Sequence, residues 1–171
     1  MTALFAILTF QAILGALDML LNHEWREHLP SRPGARLEQA LHAAREWLYG
    51  MLFLALAWAQ WQGSWAWLLA AVLLGEILLT AWDFVEEDRT RVLSPNERVM
   101  HLVLSMGAGA VCTLMLPLVL QWSRLPDAVV LTRHGYWTGL FTLFAIGVWV
   151  WAVRDTWAAI TLYRLHKGAR T

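Results

Sequence analysis

The sequence predicts an all-α integral membrane protein of five transmembrane helices, and two observations carry that reading. Hydrophobic residues make up 58% of the chain against 15% charged, more apolar surface than a soluble domain of this size can hide. The charges are also spaced so that Met1 to Leu17, Trp47 to Gly75, Leu102 to Gln121 and Tyr136 to Val153 hold no Asp, Glu, Lys or Arg, uncharged runs of roughly bilayer-spanning length.

The run from Trp47 to Gly75 is too long for one ordinary span, and Gln60, Gln62, Gly63 and Ser64 interrupt it where a tight turn belongs. Five spans follow, near 3–23, 36–61, 65–84, 97–121 and 135–163, within one transmembrane domain over 1–171. The first four are expected to form a pseudo-two-fold four-helix bundle, with the fifth helix, over 134–165, packed on its flank. Thirteen basic residues balance thirteen acidic ones, so no cationic face invites nucleic acid. The single Cys112 excludes an internal disulfide and a Cys-rich metal site.

Orientation follows the cations, which are retained on the cytoplasmic side of a span. Arg26, Arg32, Arg36, Arg89, Arg91, Arg98, Arg164, Lys167 and Arg170 fall at one side, and Arg124 and Arg133 at the other. The N-terminus is then expected outside and the C-terminus in the cytoplasm, in a bacterial inner membrane. The apolar start lacks a basic leader and a small-residue cleavage site, so no signal peptide is expected to be removed. Trp58, Trp61, Trp65, Trp67, Trp122 and Trp137 near the outer turns suit an interfacial aromatic belt.

A shift of 59 residues superposes Glu24 on Asp83, Glu27 on Glu86, Arg32 on Arg91, Glu38 on Glu97 and His42 on His101. The repeat halves would be 1–62 and 63–122, related by an axis along the membrane normal. A shift of 58 also brings Asp18 onto Glu76, both roughly 10 Å inside their helix ends at about 1.5 Å per residue. Charged groups at such depth need partners or a purpose. Glu38 with His42, and Glu97 with His101, are four apart and share a helix face. Six residues are therefore expected to converge: Asp18, Glu38, His42, Glu76, Glu97 and His101. Carboxylate oxygens and imidazole nitrogens in this proportion suit a pair of iron, manganese or zinc ions, iron foremost.

This pattern resembles the ferritin-like di-iron carboxylate proteins, membrane-bound alternative oxidases among them, which place one carboxylate on each of two helices and Glu-x-x-His on each of two others. Asn96-Glu97-Arg98-Val99-Met100-His101-Leu102 is similar to the oxidases' Asn-Glu-Arg-Met-His-Leu with one residue inserted, so that Glu-x-x-x-His stands where the family has Glu-x-x-His. The resemblance implies metal-ligand roles for the six residues. His42 and His101 would hold one ion each, Glu38 and Glu97 would bridge, and Asp18 and Glu76 would be terminal ligands.

Further ligands or supporting partners are expected among His23, Glu24, Glu46, Asp83 and Asp155. The plainer expectation for Glu24, Glu27, Asp83, Glu86, Glu87 and Asp88 is a set of solvated turn residues balanced by Arg26, Arg89 and Arg91. Ser94 is expected to cap the fourth helix, with Glu97 in its first turn complementing the dipole. Arg45 with Glu46, and Arg154 with Asp155, lie deeper and read either as interhelical ion pairs or as a proton path or headgroup contact. His23 and His28 give a His-x4-His spacing, but six histidines in the chain are too few for a desaturase-type set of histidine boxes. His134 and His166 are expected away from the site, and Gly135 and Gly139 at a close helix contact.

The expected function is that of an oxygen-dependent di-iron oxidase, hydroxylase or desaturase taking a lipophilic substrate from the bilayer near the cytoplasmic face. A second copy of the chain or an electron donor would be its partner. Two alternatives remain at this point. His42 and His101 would serve as axial ligands of one haem b in an electron-transfer protein, or the polar residues would belong to a non-catalytic ion or proton carrier or to an assembly subunit.

Overall fold

The computed structural model describes residues 1–168; Arg170, counted above among the cytoplasmic cations, lies outside the described residues. Five helices carry the fold: α1 (Thr2–Asp18), which continues as a π-helical segment over Met19–Arg26, α2 (Arg36–Trp58), α3 (Ala66–Thr90), α4 (Pro95–Trp122) and α5 (Tyr136–Gly168). The runs Thr2–Arg26, Gly63–Thr90, Pro95–Trp122 and Tyr136–Gly168 are long and apolar enough to cross a membrane. Helix α2 has the length, 23 residues, but Arg45 and Glu46 interrupt its apolar run.

The fold is all-α as expected, with one small addition. Two four-residue strands, β1 (Ala59–Gln62) and β2 (Ala128–Leu131), pair antiparallel with Ala59 opposite Leu131 and Gln62 opposite Ala128. Where a bare turn was expected between α2 and α3, the backbone groups left over at the helix ends find ladder partners instead. Thr132 N extends the pairing to Trp58 O at 2.8 Å. Gly63 turns the chain with a φ of +62°, a conformation that suits glycine, and Ser64 N donates to the Asp127 carboxylate at 2.7 Å.

Helix α5 lies along α2, α2 against α3, α3 against α4, and α4 against α1. The contact of α5 with α2 is the most extensive of these, and α5 places Phe141 and Ala145 in the central apolar cluster. The fifth helix is thus a structural member of the bundle. Its close approach depends on Gly50, where a Cβ would fall inside the indole of Trp149, whose Nε1 donates to Trp47 O at 3.3 Å. Gly50→Ala is therefore expected to cost about 1–3 kcal/mol through overpacking, measured as a lowered unfolding temperature in detergent.

The molecule is apolar outside and divided inside. Phe10, Ile13, Leu74, Leu78, Met106, Leu116, Leu143 and Val150 all face outward. Within, Leu4, Phe5, Leu8, Leu52, Phe53, Leu56, Met115, Val119 and Phe141 fill the half nearer the strands. The other half, towards the α1–α2 and α3–α4 connections, buries Asp18, His23, Glu38, His42, Asp83, Glu87, Arg91 and Glu97.

Candidate metal centre

Each helix brings its polar residues inward for a local reason. On α2 and α4, Glu38/His42 and Glu97/His101 fall on one face at a spacing of four. On α3, Glu76, Thr80, Asp83 and Glu87 follow intervals of four, three and four, a single stripe. In an ordinary α-helix, His23 would lie about 140° round the axis from Asp18. The π-helical segment widens the turn, so residues five apart stack. Asp18, Asn22 and His23 are all buried. Asn22 Nδ2 donates to Asp18 Oδ1 at 2.7 Å and approaches Met100 Sδ at 3.4 Å, which fixes this segment against α4.

The side chains meet in three overlapping groups whose donor atoms lie within 4.8 Å of one another: His23, Glu87, Glu97 and His101; His23, Glu38 and His42; and His42, Asp83 and Glu87. The His23 ring packs edge-on to His42 with centroids 4.4 Å apart and stands 6.2 Å from His101. His42 Nε2 is 3.5 Å from Asp83 Oδ2. His101 lies 3.3 Å from Asp18 and 3.5 Å from Glu87 through its two nitrogens, and stacks on Phe84.

Arg91 stands at the centre of the acids. Its guanidinium donates to Glu38 Oε1 at 3.0 Å, Glu87 Oε1 at 2.9 Å and Glu97 Oε1 at 2.7 Å. Burial acts to lower its pKa, but the hydrogen-bonded Glu97 and Glu38 carboxylates outweigh burial and hold it above the usual arginine value. One oxygen of each glutamate is thereby used, while Glu38 Oε2, Glu87 Oε2 and Glu97 Oε2 are buried without a hydrogen-bond partner. Asp83 Oδ1, His42 Nε2 and both nitrogens of His23 are in the same condition. Buried polar atoms without partners are costly, and here they converge, which is what a cation-binding donor set requires. With all groups ionised, Asp18, Glu38, Glu76, Asp83, Glu87 and Glu97 outnumber Arg45 and Arg91 by four charges, the charge of two divalent ions. These groups can hold a metal ion.

Of the six residues expected to converge, Glu38, His42, Glu97 and His101 do so, and both pairs share their faces as the spacing requires. Asp18 adjoins them through His101 and His23 but is outside the three groups. Glu76 is outside them as well: it accepts from Arg45 Nε at 3.1 Å and Thr80 Oγ1 at 3.0 Å. Arg45 spans on to Asp83 Oδ2 at 2.9 Å, and Asp83 rather than Glu76 supplies the α3 donor together with Glu87. The solvated-turn reading is corrected for Asp83 and Glu87, both 0% exposed, and for Arg91, whereas Asp88 and Arg89 are exposed. Ser94 Oγ does cap Glu97 N, at 3.3 Å; the same Glu97 turns its carboxylate inward, so one residue serves both expectations.

His23 is a central member. Glu24 is drawn instead to Arg154 of α5, which also holds Asp155. Glu46 is buried with Oε2 unpartnered, and neither it nor Asp155 belongs to the donor groups. His134 packs on Phe5 in the opposite half. Sequence reasoning missed Glu87 and Arg91 as site residues, although the α3 stripe from Glu76 to Glu87 was a readable signal.

A cavity of about 640 Å³ opens from this cluster into the apolar interior. Asp18, His23, His42 and His101 form one end of its wall, and Phe53, Leu104, Ala108, Phe144 and Val148 line it further along. Helices α1 and α5 touch at Phe5 with Phe141 and again through Glu24 with Arg154. Between those contacts Ile13 and Leu17 of α1 and Leu143 of α5 both line the cavity and face outward, so its rim lies on the apolar exterior.

Fold and site together define a helical protein with an apolar surface and a buried His/carboxylate cluster at the end of an apolar cavity. No protein-family model matches the chain, and no curated protein or solved structure is significantly similar to it.

Proposed function

We propose that this chain is an integral-membrane oxidoreductase with two metal ions, iron foremost and manganese or zinc as alternatives, acting on a lipophilic substrate near the cytoplasmic face. The observation that carries the reading is the meeting of unpartnered imidazole and carboxylate atoms with an apolar cavity whose rim lies on the apolar exterior. The reading places all five helices in the membrane, with the four-helix set pseudo-symmetric and the strand pair outside.

Glu97, His101 and His23 would hold one ion and His42 with Asp83 the other. Glu87, which belongs to a donor group on each side, would serve both ions; Glu38 would complete the set. A pair of iron or manganese ions would supply electron transfer with dioxygen, with an external donor returning the electrons; zinc, which is redox-inert, would supply only Lewis acidity. The chain's own residues do the rest. Asp18 orients the His101 ring, as a carboxylate behind a metal-bound imidazole does, Arg91 fixes one oxygen of each of three glutamates, and the apolar wall excludes water while admitting the substrate from the side.

A haem between His42 and His101 finds less support, because the His23 ring stands against both where a macrocycle would have to enter. A carrier finds less as well, since apolar side chains fill the strand half of the interior.

Elemental analysis with a visible spectrum of the detergent-purified protein tests the proposal. About two equivalents of iron, manganese or zinc without a Soret band are expected, and His42→Ala and His101→Ala should each lose metal. Metal-free protein would overturn the reading, and a Soret band would move it to haem.

A further inference from the structure

The cavity has a second polar feature that the metal donors do not use. On its wall, apart from the three donor groups, stand Arg45, Glu46 and Tyr49 of α2 and Glu76 and Thr80 of α3. Glu46 and Glu76 are each 8% exposed, and the Oε2 atom of each is buried without a hydrogen-bond partner. The one cation among them, Arg45, is already engaged by Glu76 and Asp83. This wall therefore carries surplus oxygen atoms without partners inside an otherwise apolar chamber.

From this we infer that the cavity binds the head of a hydroxyl-bearing lipid, one that donates hydrogen bonds and carries no negative charge. The inference rests on the proposed function in taking the occupant as substrate, although the binding itself requires no metal. A hydroxyl can donate to the free oxygen of Glu46 or Glu76 and accept from the guanidinium of Arg45. A carboxylate or phosphate head can only accept, so it offers no donor to the free oxygens and brings its own charge into a low-dielectric chamber whose cation, Arg45, is already engaged. The unmade hydrogen bonds of the two acids give the hydroxyl its advantage, because a site with buried polar groups discriminates by orders of magnitude against a molecule that leaves them unpaired.

Position adds a constraint on where reaction falls. Glu46 is one helical turn from His42 and Glu76 two turns from Asp83, roughly 6 and 10 Å along the axes. A head held there lies between the metal donors and the apolar stretch past Phe53, Phe144 and Val148, so the hydroxyl-bearing carbon is the part of the lipid nearest the donors and the chain runs away from them.

The test uses the full chain in detergent with two photoactivatable probes of equal length, a diazirine-bearing long-chain alcohol and the matching fatty acid at neutral pH. The alcohol is expected to label the wild type at least about 10-fold more than the acid, with adducts on cavity residues, and the isosteric double substitution Glu46→Gln with Glu76→Gln should shrink that preference to near parity by admitting the acid. Equal or stronger labelling by the acid in the wild type, no cavity labelling by the alcohol, or an unchanged preference in a folded double variant would overturn the inference. Metal content measured on the same preparations reports separately on the proposed centre, so lipid preference without metal and metal without lipid preference are distinct results.

Discussion

His23→Ala is expected to reduce bound metal from about two equivalents to less than one, with affinity falling by more than the 10- to 100-fold typical of a supporting residue. His23 belongs to two of the three donor groups, and neither ring nitrogen has a hydrogen-bond partner. At 2% exposure the ring also fills space against His42, so its loss should lower the unfolding temperature of the metal-free protein through the cavity it leaves, and metal content is read on the folded variant. Glu24→Gln supplies the contrast: Glu24 is the neighbouring residue, but it is bound to Arg154 and lies outside the donor groups. Elemental analysis of the two variants side by side decides the matter, and full metal retention in His23→Ala would remove His23 from the centre.

Arg91→Ala carries the largest expected effect on stability. Three buried glutamates would lose their common cation, and breaking a buried ionic cluster by removing one partner costs about 3–5 kcal/mol. The loss should appear as a sharply lower unfolding temperature in metal-free protein and be substantially recovered by adding a divalent ion, which offers the same carboxylates a replacement charge. In the wild type the corresponding metal-induced gain should be smaller. The sign with pH follows from the raised pKa of Arg91. A group whose folded value is raised contributes its full stabilisation below its unfolded value, which for arginine is already far above neutral, and loses it only as pH rises beyond that. The guanidinium therefore stays charged throughout any practical titration, so narrowing of the gap between wild type and variant on acidification would come from groups other than Arg91.

Much of this arrangement was legible from spacing. The uncharged runs locate the long helices, and the Glu/His intervals of four place Glu38, His42, Glu97 and His101 on inward faces. Three features were hidden for physical reasons. The π-helical segment rotates His23 inward, and nothing in an α-helical projection of Met19–Arg26 anticipates that. Asp83, Glu87 and Arg91 lie close to a chain reversal and carry charge, so composition alone assigns them to solvent; their burial depends on tertiary neighbours on α2 and α4. The strands pair residues far apart in sequence, Ala59 with Leu131, and two four-residue segments leave no periodic trace to detect. Glu76 illustrates the opposite failure: it is buried, but α3 runs on to Thr90, beyond the end expected near residue 84, and its nearest cation, Arg45, holds it at the cavity wall.

The strand ladder has a mechanical meaning for the centre at the other end of the molecule. It fastens the α2–α3 connection to the α4–α5 connection, so two helical hairpins share one fulcrum. From there α2 runs from Trp58 back to Glu38, about 30 Å at 1.5 Å per residue, before it reaches the acids. Over such an arm a tilt of about 5° would displace the far tips by roughly 3 Å, more than the separation of two atoms in a hydrogen bond allows before the bond is lost. Stiffness at the fulcrum is thus geometric tolerance at the tips, and four short backbone pairings govern how closely donor atoms on α2, α3 and α4 keep their mutual distances.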